Sequence, residues 1–127
     1  MNRRLFFRLL AIVPIFLWRP TRWRGASAEA GHRALSNVKA CLSHVLTDES
    51  GARLIGTAYL SAYPAERDAI SLLRHLLGPA TLQGPDDFRR RIAVRRRQDF
   101  VEGDVVLVDG WILARSEARA AALTVLL

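Results

Sequence analysis

The first 28 residues differ so strongly from the rest of the chain that we expect them to lie outside the fold. Arginines flank a ten-residue apolar run at 9–18, and the segment ends on small residues at 26–28. This order is typical of a cleavable export leader. The run contains Pro14 and is much shorter than the roughly 20 apolar residues that a spanning helix needs. The folded domain is therefore expected to comprise residues 29–127 alone.

The beginning of this segment resembles a twin-arginine leader. Arg3 and Arg4 are followed, after one residue, by Phe6, which is the pattern that the bacterial Tat translocase recognises. Ala26 and Ala28 place small side chains where a signal peptidase reads them, so residues 1–28 are the predicted signal peptide. The sequence therefore predicts Tat-dependent export to the periplasm, with membrane contact only through the leader. An ordinary secretory leader and an uncleaved membrane tether are the alternatives.

The formal net charge of +7 belongs mainly to the leader. Six of the 19 basic residues and none of the 12 acidic residues lie in residues 1–28. The remainder has 13 basic and 12 acidic residues, a formal charge of +1. Nucleic-acid binding depends on a basic surface that neutralises phosphates. This balance therefore argues against a nucleic-acid partner.

Hydrophobic spacing predicts a mainly α fold, a small domain of about four to five helices with one C-terminal β-hairpin. The hairpin is indicated by a β-branched run ending in Asp109-Gly110, a strong signal for a tight turn. The expected elements are a mobile terminus at 29–33, helices at 34–46, 54–63 and 66–77, a helix starting at Asp86, the hairpin at about 104–114, and a last helix capped by Ser116.

Six arginines, at 89–91 and 95–97, are the strongest charge feature of the predicted fourth helix. Because triplets spaced in this way surround most of a helix, we expect a solvated surface on which arginines pair with nearby acids. The acids close in sequence are Asp86, Asp87, Asp99, Glu102 and Asp104. Docking to an acidic protein partner, with Arg95 and Arg96 as contacts, is one alternative, and binding of anionic lipid or nucleic acid is the other. The apolar residues of this helix, Phe88, Ile92 and Phe100, are expected to reach the core.

Trp111 follows the predicted turn directly. One interpretation is that its large ring clamps the hairpin onto the helices. The other is that it anchors an interface, because an exposed tryptophan near arginine is typical of a binding hot spot.

No catalytic, cofactor-binding or metal-binding residues are predicted. His32, His44 and His75 lack the spacing of a metal site. Cys41 lies on an apolar helix stripe and is expected to be a buried, unreactive thiol. A stand-alone periplasmic enzyme is the competing hypothesis, and His44 with an acid such as Asp99 or Asp109 would supply its chemistry.

Most of the chain is similar to a group of small uncharacterised bacterial twin-arginine signal proteins. The matching residues are Tyr59-Leu60, Tyr63-Pro64, Glu66, Asp99-Phe100, Gly103-Asp104-Val105-Val106, Val108-Asp109-Gly110-Trp111-Ile112-Leu113 and Ser116-Glu117-Ala118-Arg119. Ala114 departs from the polar residue usual before Arg115. The resemblance implies export but no activity.

Tat export moves folded proteins, often with a cofactor, yet no cofactor ligands are predicted for this chain. A small subunit with a leader can carry a larger leaderless enzyme across the membrane with it. The sequence therefore favours a non-catalytic accessory subunit or assembly factor of a partner enzyme, with an oxidoreductase as one candidate class. Trp111, the hairpin and the arginine helix would bind that protein partner.

Overall fold

Five helices and one β-hairpin form the described part of the chain, which confirms the predicted fold class. The structure is a computed structural model that describes residues 23–78 and 82–127, with side chains from Glu29 onward. The described ranges contain no helix with the length and hydropathy needed to span a membrane. The elements in chain order are α1 (Trp23–Val45), α2 (Glu49–Ala62), a 3₁₀ turn (Pro64–Glu66), α3 (Ala69–Leu77), α4 (Pro85–Glu102), β1 (Val105–Val108), β2 (Trp111–Ala114) and α5 (Arg115–Leu126).

Helix α1 begins earlier than predicted. Residues 29–33, expected as a mobile terminus, are helical. Arg33 pairs with Glu29 at 3.6 Å across one turn, a spacing at which opposite charges support a helix. The helical backbone continues through the predicted cleavage positions Ala26 and Ala28. The predicted recognition residues of the leader, Arg3, Arg4 and Phe6, lie outside the described residues.

Aspartates begin the second and third helices. The Asp48 carboxylate accepts the Gly51 backbone N–H at 2.9 Å, and the Asp68 carboxylate accepts the Ser71 N–H at 3.0 Å. An aspartate at this position satisfies an N–H that has no partner within the helix. The cap at Asp48 starts α2 at Glu49, before the predicted position 54. The cap at Asp68 starts α3 at Ala69, after the predicted position 66, and Glu66 is the last residue of the 3₁₀ turn.

Only a narrow stripe of side chains on helix α4 packs against the core. Phe88 is fully buried and Ile92 is partly buried, as predicted. The prediction that Phe100 reaches the core is wrong, because its side chain is half exposed. The inward positions continue from 88 and 92 to Arg95 and Asp99 at helical spacing, and Phe100 lies one residue off that stripe.

The start of α5 differs from the predicted Ser116 cap. The N-cap position is Ala114, and Ser116 lies in the first turn with its hydroxyl buried and unbonded to any described residue. The cap comes from α4 instead: the buried Asp99 carboxylate accepts the Ser116 N–H at 2.8 Å. A carboxylate at a helix N-terminus is also favoured by the helix dipole. Asp99 therefore fixes the end of α4 against the beginning of α5.

The hairpin has the predicted tight turn. Asp109 and Gly110 both have positive φ, at 49° and 81°. Two such residues match the twist of the flanking strands. The strands are antiparallel, and Leu107 lies opposite Ile112. Val106 and Val108 point inward and are buried among the helices, which gives the ribbon the support that two strands lack in isolation.

Candidate functional site

Trp111 is largely exposed, so the prediction that it clamps the hairpin onto the helices is wrong. Its relative accessible surface is 66%. Trp111 is the first residue of β2, opposite Val108 at the tip of the ribbon. The smaller side chains of Val106 and Val108 fill the inner face instead. The ring therefore lies where a partner protein could contact it.

The outward face of the hairpin is apolar. Leu107 and Ile112 pair across the strands and are 69% and 67% exposed, and the exposed Val105 lies two residues before Leu107. An antiparallel sheet that faces water normally alternates apolar inward residues with polar outward residues. This ribbon is apolar on both faces. Trp111 pairs with the inward Val108 and so belongs to the other face, where it is exposed at the tip. We call the exposed residues Val105, Leu107, Trp111 and Ile112 together the hairpin surface.

The predicted contacts Arg95 and Arg96 are engaged within the chain. Arg95 lies 3.7 Å from the buried Asp99 carboxylate, and Arg96 lies 3.4 Å from Glu117 on α5. The other triplet also pairs with acids, through Arg89 with Asp86 and Arg90 and Arg91 with Asp87. The expectation of an acid-paired arginine surface is therefore confirmed for these five residues. Glu117, distant in sequence, was not among the expected acids.

A polar network holds the base of the hairpin. Arg115 donates to the Asp104 carboxylate at 2.6 Å, and its guanidinium lies 5.3 Å from the ring centre of Tyr63. Asp104, and to a smaller extent the hydroxyl of Tyr59, raise the pKa of the guanidinium above its ordinary value. Because Asp104 precedes β1 and Arg115 follows β2, this ion pair closes the open end of the ribbon.

Glu66 is the centre of the same network. Arg119 donates two hydrogen bonds to its carboxylate, at 3.0 and 2.8 Å, and the hydroxyl of the buried Tyr59 donates a third at 2.5 Å. The bonds from Arg119, and then from Tyr59, lower the pKa of Glu66 to about 2. Burial and the neighbouring carboxylate raise the pKa of Tyr59 to about 12. Each group is held in one charge state at neutral pH, which suits a structural tie better than proton transfer.

The network was missed from the sequence, although its members were among the residues that carry the resemblance. Tyr59, Tyr63 and Glu66 come from α2, its C-cap and the 3₁₀ turn. Asp104 and Arg119 come from segments about 40 to 50 residues later. Local periodicity carries no information on such pairs. The structure brings these distant residues together, and their contacts fix the position of the hairpin.

The residues suggested for an enzyme are not brought together. His44 is exposed on α1, and neither Asp99 nor Asp109 hydrogen-bonds it. The Asp99 carboxylate is buried, accepts the Ser116 N–H and pairs with Arg95. Cys41 is buried as predicted, and burial raises the pKa of its thiol. The described ranges contain no group of three side chains placed to hold a metal ion.

No family model, curated protein or solved structure matches this chain. The family resemblance drawn from the sequence therefore stays a prediction.

Proposed function

We propose that this protein is an exported periplasmic accessory subunit or assembly factor that binds a larger enzyme through the hairpin surface. It performs no chemistry itself. The occupant of the surface is an apolar patch on the partner enzyme, and an oxidoreductase transported together with this chain is the class that we favour.

The exposed apolar side chains of the hairpin carry this proposal. Four large apolar side chains of a short ribbon are exposed: Val105, Leu107 and Ile112 lie on its outward face, and Trp111 lies at the tip of the face that carries the buried Val106 and Val108. Exposed clusters of this kind mark interaction sites, and tryptophan is enriched among the residues that dominate binding energy. The rigid base formed by Asp104 and Arg115 supports the proposal, because a preorganised surface loses little conformational entropy on binding.

The predicted leader gives the proposal its location. A Tat leader directs a folded protein across the inner membrane, so a complex assembled in the cytoplasm would be exported intact. The small subunit would then supply the export signal, and the enzyme would supply the cofactor. Arg3, Arg4 and Phe6 are the residues on which this step depends, and Ala26 and Ala28 define the predicted cleavage.

Changes on the hairpin surface are expected to abolish partner binding without unfolding the domain. Because Trp111 and Ile112 are exposed, Trp111→Ala combined with Ile112→Ser should weaken the complex by about thirtyfold or more. The measurement is the affinity of the purified full-length protein for the partner enzyme isolated with it from the native periplasm. Thermal unfolding of the free variant should match that of the wild type.

Leu54→Ser is the matched control, because Leu54 is a largely exposed apolar residue on α2 outside the hairpin. It should leave the affinity within twofold of the wild type. Recovery of the protein from the periplasm only as a monomer would contradict the proposal, as would equal binding by the hairpin variant and the wild type.

A further inference from the structure

A shallow groove lies between the second half of α4 and the first turn of α5. Its lining residues are Ala93, Arg96, Arg97, Phe100, Val101 and Glu117, which we call the α4 groove. Its apolar part is formed by Phe100 and Val101, which are 50% and 83% exposed. Burial of these two side chains by a partner would lower the free energy of the complex, because it removes apolar surface from water.

Arg97 is the arginine of the two triplets that forms no ion pair with a described residue. The carboxylates near it in the described chain are already engaged. Glu117 accepts bonds from Arg96 and the Ala114 N–H, Glu102 accepts from Gln98, and Asp99 is buried. The fold therefore leaves a guanidinium without an acid beside two exposed apolar side chains.

The α4 groove begins where the hairpin ends. The two carboxylate oxygens of Glu117 connect them, because one accepts the N–H of Ala114, the last residue of β2, and the other contacts Arg96 in the groove. A protein that covers the hairpin surface is thus close to the groove as well. Arginine and aromatic residues are enriched in interface cores, which matches the composition found here.

We infer that the α4 groove is a second contact with the partner enzyme and receives an apolar segment that carries a carboxylate, which pairs with Arg97. This inference rests on the proposed function. The partner's carboxylate complements the positive charge of Arg97. The apolar residues beside that carboxylate in the partner cover Phe100 and Val101. A guanidinium presents paired donors that match a carboxylate geometrically, so the contact fixes orientation as well as adding affinity.

The test places a photo-crosslinking amino acid, benzoylphenylalanine, at position 101 or 112 of the full-length protein in its native host. Both positions should crosslink to the same enzyme, and the crosslink from position 101 should lie beside an acidic residue of that enzyme. Arg97→Glu should weaken the complex about tenfold and Arg97→Lys much less. Replacing the partner's acidic residue with Lys should restore binding to the Arg97→Glu variant.

Arg89→Glu is the matched control, because Arg89 is also exposed on α4 but pairs with Asp86. Its effect should stay below twofold. Crosslinking from position 112 alone, unchanged binding by Arg97→Glu, or a crosslink from position 101 to lipid or to a second copy would overturn the α4 groove inference and leave the proposed function standing. Absence of a crosslink from both positions would overturn both.

Discussion

Replacement of Gly56 by alanine is expected to destabilise the domain by about 3 kcal/mol. Gly56 lies on α2 where that helix contacts α5. A Cβ atom at this position would lie 2.3 Å from the carbonyl oxygen of Ala121 and 3.0 Å from the Cα of Ala122. These are backbone atoms, so no side-chain rotation relieves the overlap, and the two helices must separate.

The separation is costly because α5 packs through small residues. The buried residues of its inward face include Ala118, Ala121 and Ala122, which allow the backbones to approach closely. Moving α5 outward would open gaps around the buried Leu123 and would also move Arg119, which holds Glu66. A domain of this size has a total stability of about 5 to 15 kcal/mol, so much of it would be lost.

Gly31→Ala is the matched control for this experiment. Gly31 is also helical, in α1, but its added Cβ would meet only the end of the Ile70 side chain, at 3.4 Å. The higher helix propensity of alanine should therefore stabilise this variant by about 0.5 to 1 kcal/mol. Urea unfolding of both variants measures the two free energies. Equal stability of Gly56→Ala and the wild type would show that α2 and α5 are not in close contact.

Replacement of Glu66 by glutamine is expected to destabilise the protein by about 2 to 3 kcal/mol. Glutamine keeps the size of the side chain but removes the charge that pairs with Arg119. Both partners are mostly buried, with 13% and 23% of the Arg119 and Glu66 side chains exposed, so the remaining cation is poorly solvated. The change also weakens the hydrogen bond from Tyr59.

Glu29→Gln is the control for this substitution, because the Glu29–Arg33 pair is almost fully exposed. Exposed ion pairs contribute between zero and about 1 kcal/mol, so the expected loss is small. Circular dichroism with urea titration at pH 7 compares the variants. A loss in Glu66→Gln no larger than that in Glu29→Gln would contradict a stabilising role for the network.

The pH dependence of the same variant tests the physical origin of the effect. The folded pKa of Glu66, about 2, lies below the ordinary value of 4.5. Its charge therefore stabilises the fold fully above pH 4.5, and this contribution disappears as the pH falls through 2. The stability difference between the wild type and Glu66→Gln should accordingly shrink between pH 5 and pH 2. A difference that stays constant across that range would show that the carboxylate charge is not its source.

Features set by neighbouring residues were predictable from the sequence. The Asp109-Gly110 turn forms because only a few residues tolerate positive φ. Cys41 is buried because it lies on an apolar helical stripe, and Asp48 marks a helix start because its side chain reaches an N–H three residues away. The division of α3 from the 3₁₀ turn could have been found from Asp68, which has the same signature.

The candidate site was predictable only in part. Trp111 was correctly placed after the turn, but whether its ring faces the core or solvent depends on which side chains already fill the space beneath the ribbon. The predicted contacts Arg95 and Arg96 both pair within the chain, and Arg96 does so with an acid 21 residues away. The sequence does not distinguish Arg97 from the other five arginines, because only the tertiary structure shows which acids they contact.

The amino-acid sequence by itself determined the helical class, the turn of the hairpin and the C-terminal ends of the first three helices, because these depend on backbone preferences and hydrogen bonds within a few residues. The tertiary structure alone decided the cap of α5 by Asp99, the network around Glu66 and the exposure of the hairpin surface. Those features depend on which distant segments come into contact, and on how much space the side chains of one segment leave for those of another.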